Sequence, residues 1–247
     1  MVADSESNTL LVARLESIFT FTDHEKSAIL NLPIQVVEFQ ARQDIVREGD
    51  RPSRCCLVID GLACTYKVTG RGKRQIMGFY IPGDVPDLQS LHLKVLDHSL
   101  GTVNACKVGF IQHDVLHDLC HRHPRITAAF WRETLIDAAT FREWIMNVGR
   151  REAVSRMAHL FCEQVVRYRA IGLASDYSCD FPITQSELAD AVGISPVHVN
   201  RTLQELRASE LIRWNSGQLL VLNWARLKEV ADFDPTYLHL RDESVVD

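Results

Sequence analysis

Ile183-Thr184-Gln185-Ser186-Glu187-Leu188-Ala189-Asp190-Ala191-Val192-Gly193-Ile194-Ser195-Pro196-Val197-His198-Val199-Asn200-Arg201-Thr202-Leu203-Gln204-Glu205-Leu206-Arg207-Ala208-Ser209-Glu210-Leu211-Ile212 parses into two short helices joined by a tight turn. Thr184 and Glu187 form a Thr-x-x-Glu capping box that starts the first helix. Gly193 stands where the chain must turn with positive φ, as a helix-turn-helix requires. Ser195 caps the second helix and Pro196 takes its first position, where a missing N–H is no loss. Helical spacing sets Leu188, Ala189 and Val192 against Val199, Leu203 and Leu206. Pro196, Val197, Asn200, Arg201 and Gln204 remain on the opposite face, a stripe of the size that enters a major groove. The competing reading is a helical hairpin that binds nothing; cap, turn, second cap and apolar registry all argue against it.

Downstream, Leu211-Ile212-Arg213-Trp214, a Ser216-Gly217 turn and Leu219-Leu220-Val221-Leu222 read as a β-hairpin, the wing of a winged helix. Upstream, Pro124 opens a run from Ile126 to Val148 that holds no Pro or Gly before Gly149, so one long helix is expected. Thr134, Phe141 and Val148 recur at seven-residue spacing with Trp144 and Ile145 between the last two. A second copy of the same helix would cover that stripe through a coiled-coil-like seam, and packing on the chain's own β-domain is the alternative.

Between Ile34 and Ile111 short β-rich runs alternate with turns, and Gly49, Gly61, Gly72 and Gly83 fall 12, 11 and 11 residues apart. That spacing predicts a small antiparallel roll or jelly roll. Residues 9–32 read as helical, with Leu11, Leu15, Ile18 and Phe19 on one face and Thr22 as the N-cap of a second short helix. The expected fold class is α+β, with four parts: a β-roll domain with flanking helices over 1–123, a dimerisation helix over 124–150, a winged helix-turn-helix over 151–231 and an acidic C-terminal tail over 232–247.

The 247 residues are 46% hydrophobic and 24% charged, which excludes a disordered or fibrous chain. The start, Met1-Val2-Ala3-Asp4-Ser5-Glu6, has neither a basic nor an apolar signal region, and the seven cysteines are scattered, so a cytoplasmic chain with free thiols is expected. Net charge is −5, with five acidic residues against one basic in 232–247 and ten basic against nine acidic in 150–231. This balance disfavours indiscriminate binding to nucleic acid or membrane and leaves room for a local DNA-binding face. No Gly-rich phosphate loop, Gly-x-Ser-x-Gly elbow or His-Glu-x-x-His motif occurs, so catalysis is not expected.

This order of parts, with Ile81-Pro82-Gly83-Asp84 and the helix-turn-helix as its specific motifs, resembles the Crp/Fnr family of bacterial transcription regulators over residues 15 to 230. The resemblance implies a cyclic-nucleotide-binding-type roll, a homodimer through the long helix, and a reading helix that takes double-stranded DNA. RNA polymerase is the expected protein partner. The family's nucleotide cassette matches Gly83-Asp84-Val85 and His98-Ser99-Leu100 here, which makes Gly83, Asp84, His98, Ser99 and Trp144 the candidate effector pocket. The family's phosphate-binding arginine has no counterpart, and Trp144 and Ile145 stand where the cyclic-AMP receptors present Thr and Ser. A buried phosphate without a cation loses its charge-assisted hydrogen bonds, so gating by cyclic AMP is not expected. A cyclic-nucleotide-dependent factor is the alternative, no cofactor is implied and the effector is left open. Cys55, Cys56, Cys64, Cys106 and Cys120 lack iron–sulfur cluster spacing.

On this reading Arg201 suits guanine, Asn200 an adenine edge and Val197 a thymine methyl, with His198 beside them. Thr184, Gln185, Ser195, Ser216 and Gly217 would receive phosphates. Phe141, Trp144, Ile145 and Val148 form the expected dimer seam. His113, His117 and His121 share a helix face with Cys120 and His123 alongside, a geometry open to a transition metal or, as the plainer reading, to solvent. No metal is assigned. Cys179 reads as a loop thiol, either exposed and oxidisable near DNA or inert.

Overall fold

The computed structural model describes residues 5–242. Two helices, α1 (Ser5–Glu16) and α2 (Asp23–Leu30), open it, the second started by the Thr22–Glu25 capping box. Seven antiparallel strands follow: β1 (Gln35–Phe39), β2 (Asp44–Val46), β3 (Arg54–Asp60), β4 (Ala63–Val68), β5 (Arg74–Tyr80), β6 (Ser99–Thr102) and β7 (Cys106–Gln112). They form two sheets, ordered β1-β7-β3 and β2-β6-β4-β5, which enclose an apolar interior that includes Val46, Val58, Leu100, Val108 and Phe110. Between β5 and β6 a 3-10 turn (Leu88–Leu91) replaces a full strand connection.

Helix α3 (His113–Arg122) leads into α4 (Pro124–Gly149), which runs uninterrupted over 26 residues with Pro at its start. Then come α5 (Ala153–Ala170), β8 (Ser178–Asp180), α6 (Gln185–Val192), α7 (Pro196–Ala208), β9 (Ile212–Asn215), β10 (Gln218–Val221) and α8 (Trp224–Ala231). The wing is three-stranded, β8-β10-β9, so the expected hairpin gains a third strand from the segment before α6. Cys179 lies in that strand and is buried, its thiol pushed up to about 12 by burial and then by Asp180. The exposed, oxidisable loop cysteine is therefore corrected to a core thiol.

One continuous hydrophobic cluster joins the two halves, running from Leu62, Ile76 and Phe79 of the roll through Trp144 to Phe161, Leu188 and Leu203. Trp144, expected on a dimer seam and in an effector pocket, is 7% exposed. Its ring meets Phe79 edge-on at 6.0 Å and its indole N–H donates to the buried Glu163 carboxylate at 3.2 Å. A buried indole needs such an acceptor, and Glu163 fixes which way the ring turns. Among the described residues no helix is long and apolar enough to cross a membrane.

Candidate nucleic-acid interface

The geometry of α6 and α7 follows from their ends. Thr184 Oγ1 accepts from Glu187 N at 3.2 Å, and Glu187 Oε2 accepts from Thr184 N at 2.7 Å. Gly193 ends α6 in the left-handed region (φ 69°), and Ser195 Oγ accepts from His198 N to start α7. Leu188, Val199, Leu203 and Leu206 are all fully buried between the helices, each contributing about 1.5–3 kcal/mol. Their burial leaves Val197, His198, Asn200, Arg201 and Gln204 exposed on one face of α7, Val197 at 82%.

Around this face Gln185 and Ser195 are exposed, and Gln185 Oε1 accepts from Asn200 Nδ2 at 3.3 Å, which ties the amide of Asn200 to the start of α6. Thr184 differs from the expectation of a free phosphate ligand, since its hydroxyl also donates to Glu187 Oε2 at 2.8 Å and is committed to the capping box. Ser216 and Gly217 form the two-residue turn between β9 and β10, the tip of the wing. The back of α6, not α7, docks on the roll: Arg74 Nε meets Asp190 Oδ2 at 2.8 Å and Gln75 Nε2 donates to Ala191 O at 3.1 Å.

The five expected pocket residues are not brought together. Asp84 is aimed out of the roll into the junction of α1, α4 and α5, where Arg14 Nε meets Oδ1 at 2.9 Å and Arg167 Nη2 meets Oδ2 at 2.6 Å. Gly83 permits that junction, because its φ is 95° and a Cβ there would lie 2.9 Å from Leu10 O. Arg14 also reaches Glu133 at 2.8 Å. Burial opposes the charge on Arg167, but Asp84 and Glu163 outweigh it and raise its pKa. Burial raises the carboxyls of Glu133 and Asp137 beside them. His98 pairs with Asp97 at 2.8 Å, Ser99 Oγ accepts from Glu48 N at 3.0 Å, and Trp144 belongs to the interdomain core. Sequence reasoning missed Arg14, Arg167 and Glu133 because each partner lies at least 70 residues away, as Arg14 and Asp84 do.

At the head of the 3-10 turn Asp87 is fully buried, with Oδ1 accepting from Cys56 N at 2.7 Å and Oδ2 without a partner. Burial, opposed by that N–H, pushes its carboxyl up to about 7 from 3.8. A raised folded value means stability that is fully present below the unfolded value and lost as pH rises through about 7. Asn mimics the protonated acid, so Asp87→Asn is expected to flatten the fall in urea midpoint between pH 5 and 8; an equal fall in both proteins would refute this account.

Among the described residues no group of three His, Cys, Asp or Glu side chains is placed to hold a metal ion. His113 bonds Ser90 at 3.0 Å and His117 meets His92 edge-on, so the histidine face is tied to the 3-10 turn. Along α4, Trp131, Phe141, Ile145 and Val148 face solvent, Ile145 at 71%.

Residues 36–123 match the cyclic nucleotide-binding domain and residues 155–230 the Crp-like helix-turn-helix domain. Over 219 residues the chain is 25% identical to the transcriptional activator protein FnrL of Cereibacter sphaeroides, covering 86% of each. It is 25% identical over 197 residues to the nitrogen fixation regulation protein FixK of Bradyrhizobium diazoefficiens, covering 79% of this chain and 81% of that one. The solved structure of FixK2 from Bradyrhizobium japonicum superposes with a TM-score of 0.72 at 20% identity, over 81% of this chain and 98% of that one. Both halves of the chain thus match parts of one kind of protein, and it belongs to the Crp/Fnr family of DNA-binding transcription regulators.

Proposed function

We propose that the protein is a cytoplasmic homodimer that sets two α7 helices about 34 Å apart in successive major grooves of a pseudo-palindromic operator. The observation that carries this reading is the exposed pair of surfaces on one chain: the polar face of α7 and the apolar stripe of α4. Arg201 reads guanine through its planar fork, Asn200 an adenine edge and Val197 a thymine methyl, with His198 at the flank. Gln185, Ser195 and the Ser216-Gly217 tip receive phosphates, and Thr184 supports them from the capping box. RNA polymerase is the partner to which the bound dimer answers.

Regulation by a cyclic nucleotide does not fit the residues present. The space between the two sheets is filled by apolar side chains, Asp84 is held by two arginines of its own chain, and the buried carboxyl of Asp87 stands at the head of the 3-10 turn. Arg14 and Arg167 are already paired with Asp84, so an anion brought beside them would compete with that carboxylate and lose its own hydration. The test is selection of bound sequences from random duplex DNA by the protein alone, repeated with cyclic AMP and cyclic GMP. A palindrome enriched without ligand supports this reading, and one enriched only with nucleotide replaces it by a cyclic-nucleotide receptor.

Arg201→Ala is expected to cost about 1–3 kcal/mol on the selected site and much less on random duplex, read by salt-titrated binding. Equal losses on both would reduce Arg201 to a phosphate contact.

A further inference from the structure

After α8 the chain turns back instead of running into solvent. Asp232 takes a left-handed conformation (φ 49°) and Phe233 is buried against Trp224 and His159. A second 3-10 turn (Pro235–Leu238) then lies on α4 and α5, with Leu238 buried, Tyr237 stacked on His159, and Tyr237 Oη donating to Glu163 Oε2 at 2.7 Å. Farther on, His239 O accepts from Arg132 of α4 at 3.3 Å. Arg241 ends the run on the sensor half: its N donates to Ser17 O at 2.9 Å and its Nη1 to Glu16 O and Phe19 O at 3.0 and 3.2 Å. Those carbonyls close the C-terminal end of α1, where a guanidinium is favoured by the helix dipole.

The same segment reaches the hinge between α4 and α5. Arg151, at that hinge, donates through Nη1 to Glu143 and Asn147 of α4 and through Nη2 to Asp232 O at 3.1 Å. We propose that residues 232–241 are a strap that positions the DNA-binding half against α4 and α1, so that this segment presets the pose of α7. The strap crosses every joint about which the reading head would swing: α8 to α5, α5 to α4, and α4 to α1. Tyr237 and Arg241 are its positioning residues, and neither lies on the DNA-reading face. A preset pose removes an ordering cost from DNA binding. The proposal rests on the reading of α7 as the reading helix.

Deleting the segment outright would also expose the core around Phe233, so the test uses the full-length double variant Tyr237→Phe/Arg241→Ala, with Arg132→Ala as a second release point. Hydrogen exchange followed by mass spectrometry reads the hinge directly, because Arg150 and Arg151 N–H are both bonded to Met146 O. The expected result is exchange at least about tenfold faster at residues 150–153, unchanged protection in β3, β7 and α7, and DNA affinity lowered at least about tenfold. Unchanged hinge exchange overturns the strap, and so does DNA bound as tightly or more tightly once it is released. An intact protein that binds no duplex overturns the DNA reading separately, and the exchange data then decide the strap alone.

Discussion

Truncating Asp84 to Ala is expected to cost about 3–5 kcal/mol of stability, because it removes the one carboxylate shared by two buried guanidiniums. Arg14 keeps Glu133 at 2.8 Å, whereas the hydrogen bond left to Arg167 is the one to the carbonyl of Phe79 at 2.7 Å. A guanidinium with no carboxylate in direct contact, facing only the more distant Glu163 and Asp137, is then left in the core between the roll and the DNA-binding half. The backbone turn loosens as well, since Asp84 Oδ2 also accepts from Ile81 N at 2.8 Å. Urea unfolding measures the loss. Adding Arg167→Met to Asp84→Ala should recover much of it, because removing both partners of a buried pair costs less than removing one. A loss below about 1 kcal/mol for Asp84→Ala alone would mean that water reaches Arg167 and that the cluster is not dry.

Why Asp84 reads so differently in sequence and in space is a matter of range. The helix-turn-helix was legible because its determinants are local: the Thr184–Glu187 box, the left-handed Gly193 and the Ser195-Pro196 start act within a few residues. The limits of α4 were legible for the same reason, Pro124 and Gly149 being the breakers in that run. Trp144 and Ile145 were not separable, since neighbours on a helix point about 100° apart and both are apolar. The choice was made by Phe79 and Glu163, which lie far along the chain and take the tryptophan inward. Asp84 reads as a ligand residue in sequence because its turn is shared with the family's nucleotide cassette, while Arg14 and Arg167 carry no local mark. Residues 232–241 show the same limit. The acidity read for 232–247 is compositional, and the contacts of Tyr237 and Arg241 span 74 and 225 residues.

The separation of Trp144 from Ile145 also makes the dimer proposal testable without disturbing the monomer. Ile145 is 71% exposed in its own chain, so Ile145→Asp removes little from the core and is expected to leave the circular dichroism unchanged. In a two-fold seam the same change acts twice and sets two carboxylates against each other in an apolar contact. Together these cost at least about 5 kcal/mol, or roughly 10³–10⁴ in the dimer dissociation constant. Sedimentation equilibrium reads this as a halved mass. Losing the second reading head forfeits the linkage between half-sites, so operator affinity is expected to fall by about 10²–10⁴ while affinity for a single half-site is unchanged. Leu93→Asp is the control, being 55% exposed on the roll and off the stripe, and should change neither quantity. If Ile145→Asp keeps the dimer mass, the stripe is not the seam, and two α7 helices would have to be brought to DNA by another surface. If mass falls and operator affinity does not, a single chain reads the whole site and the palindrome is not required.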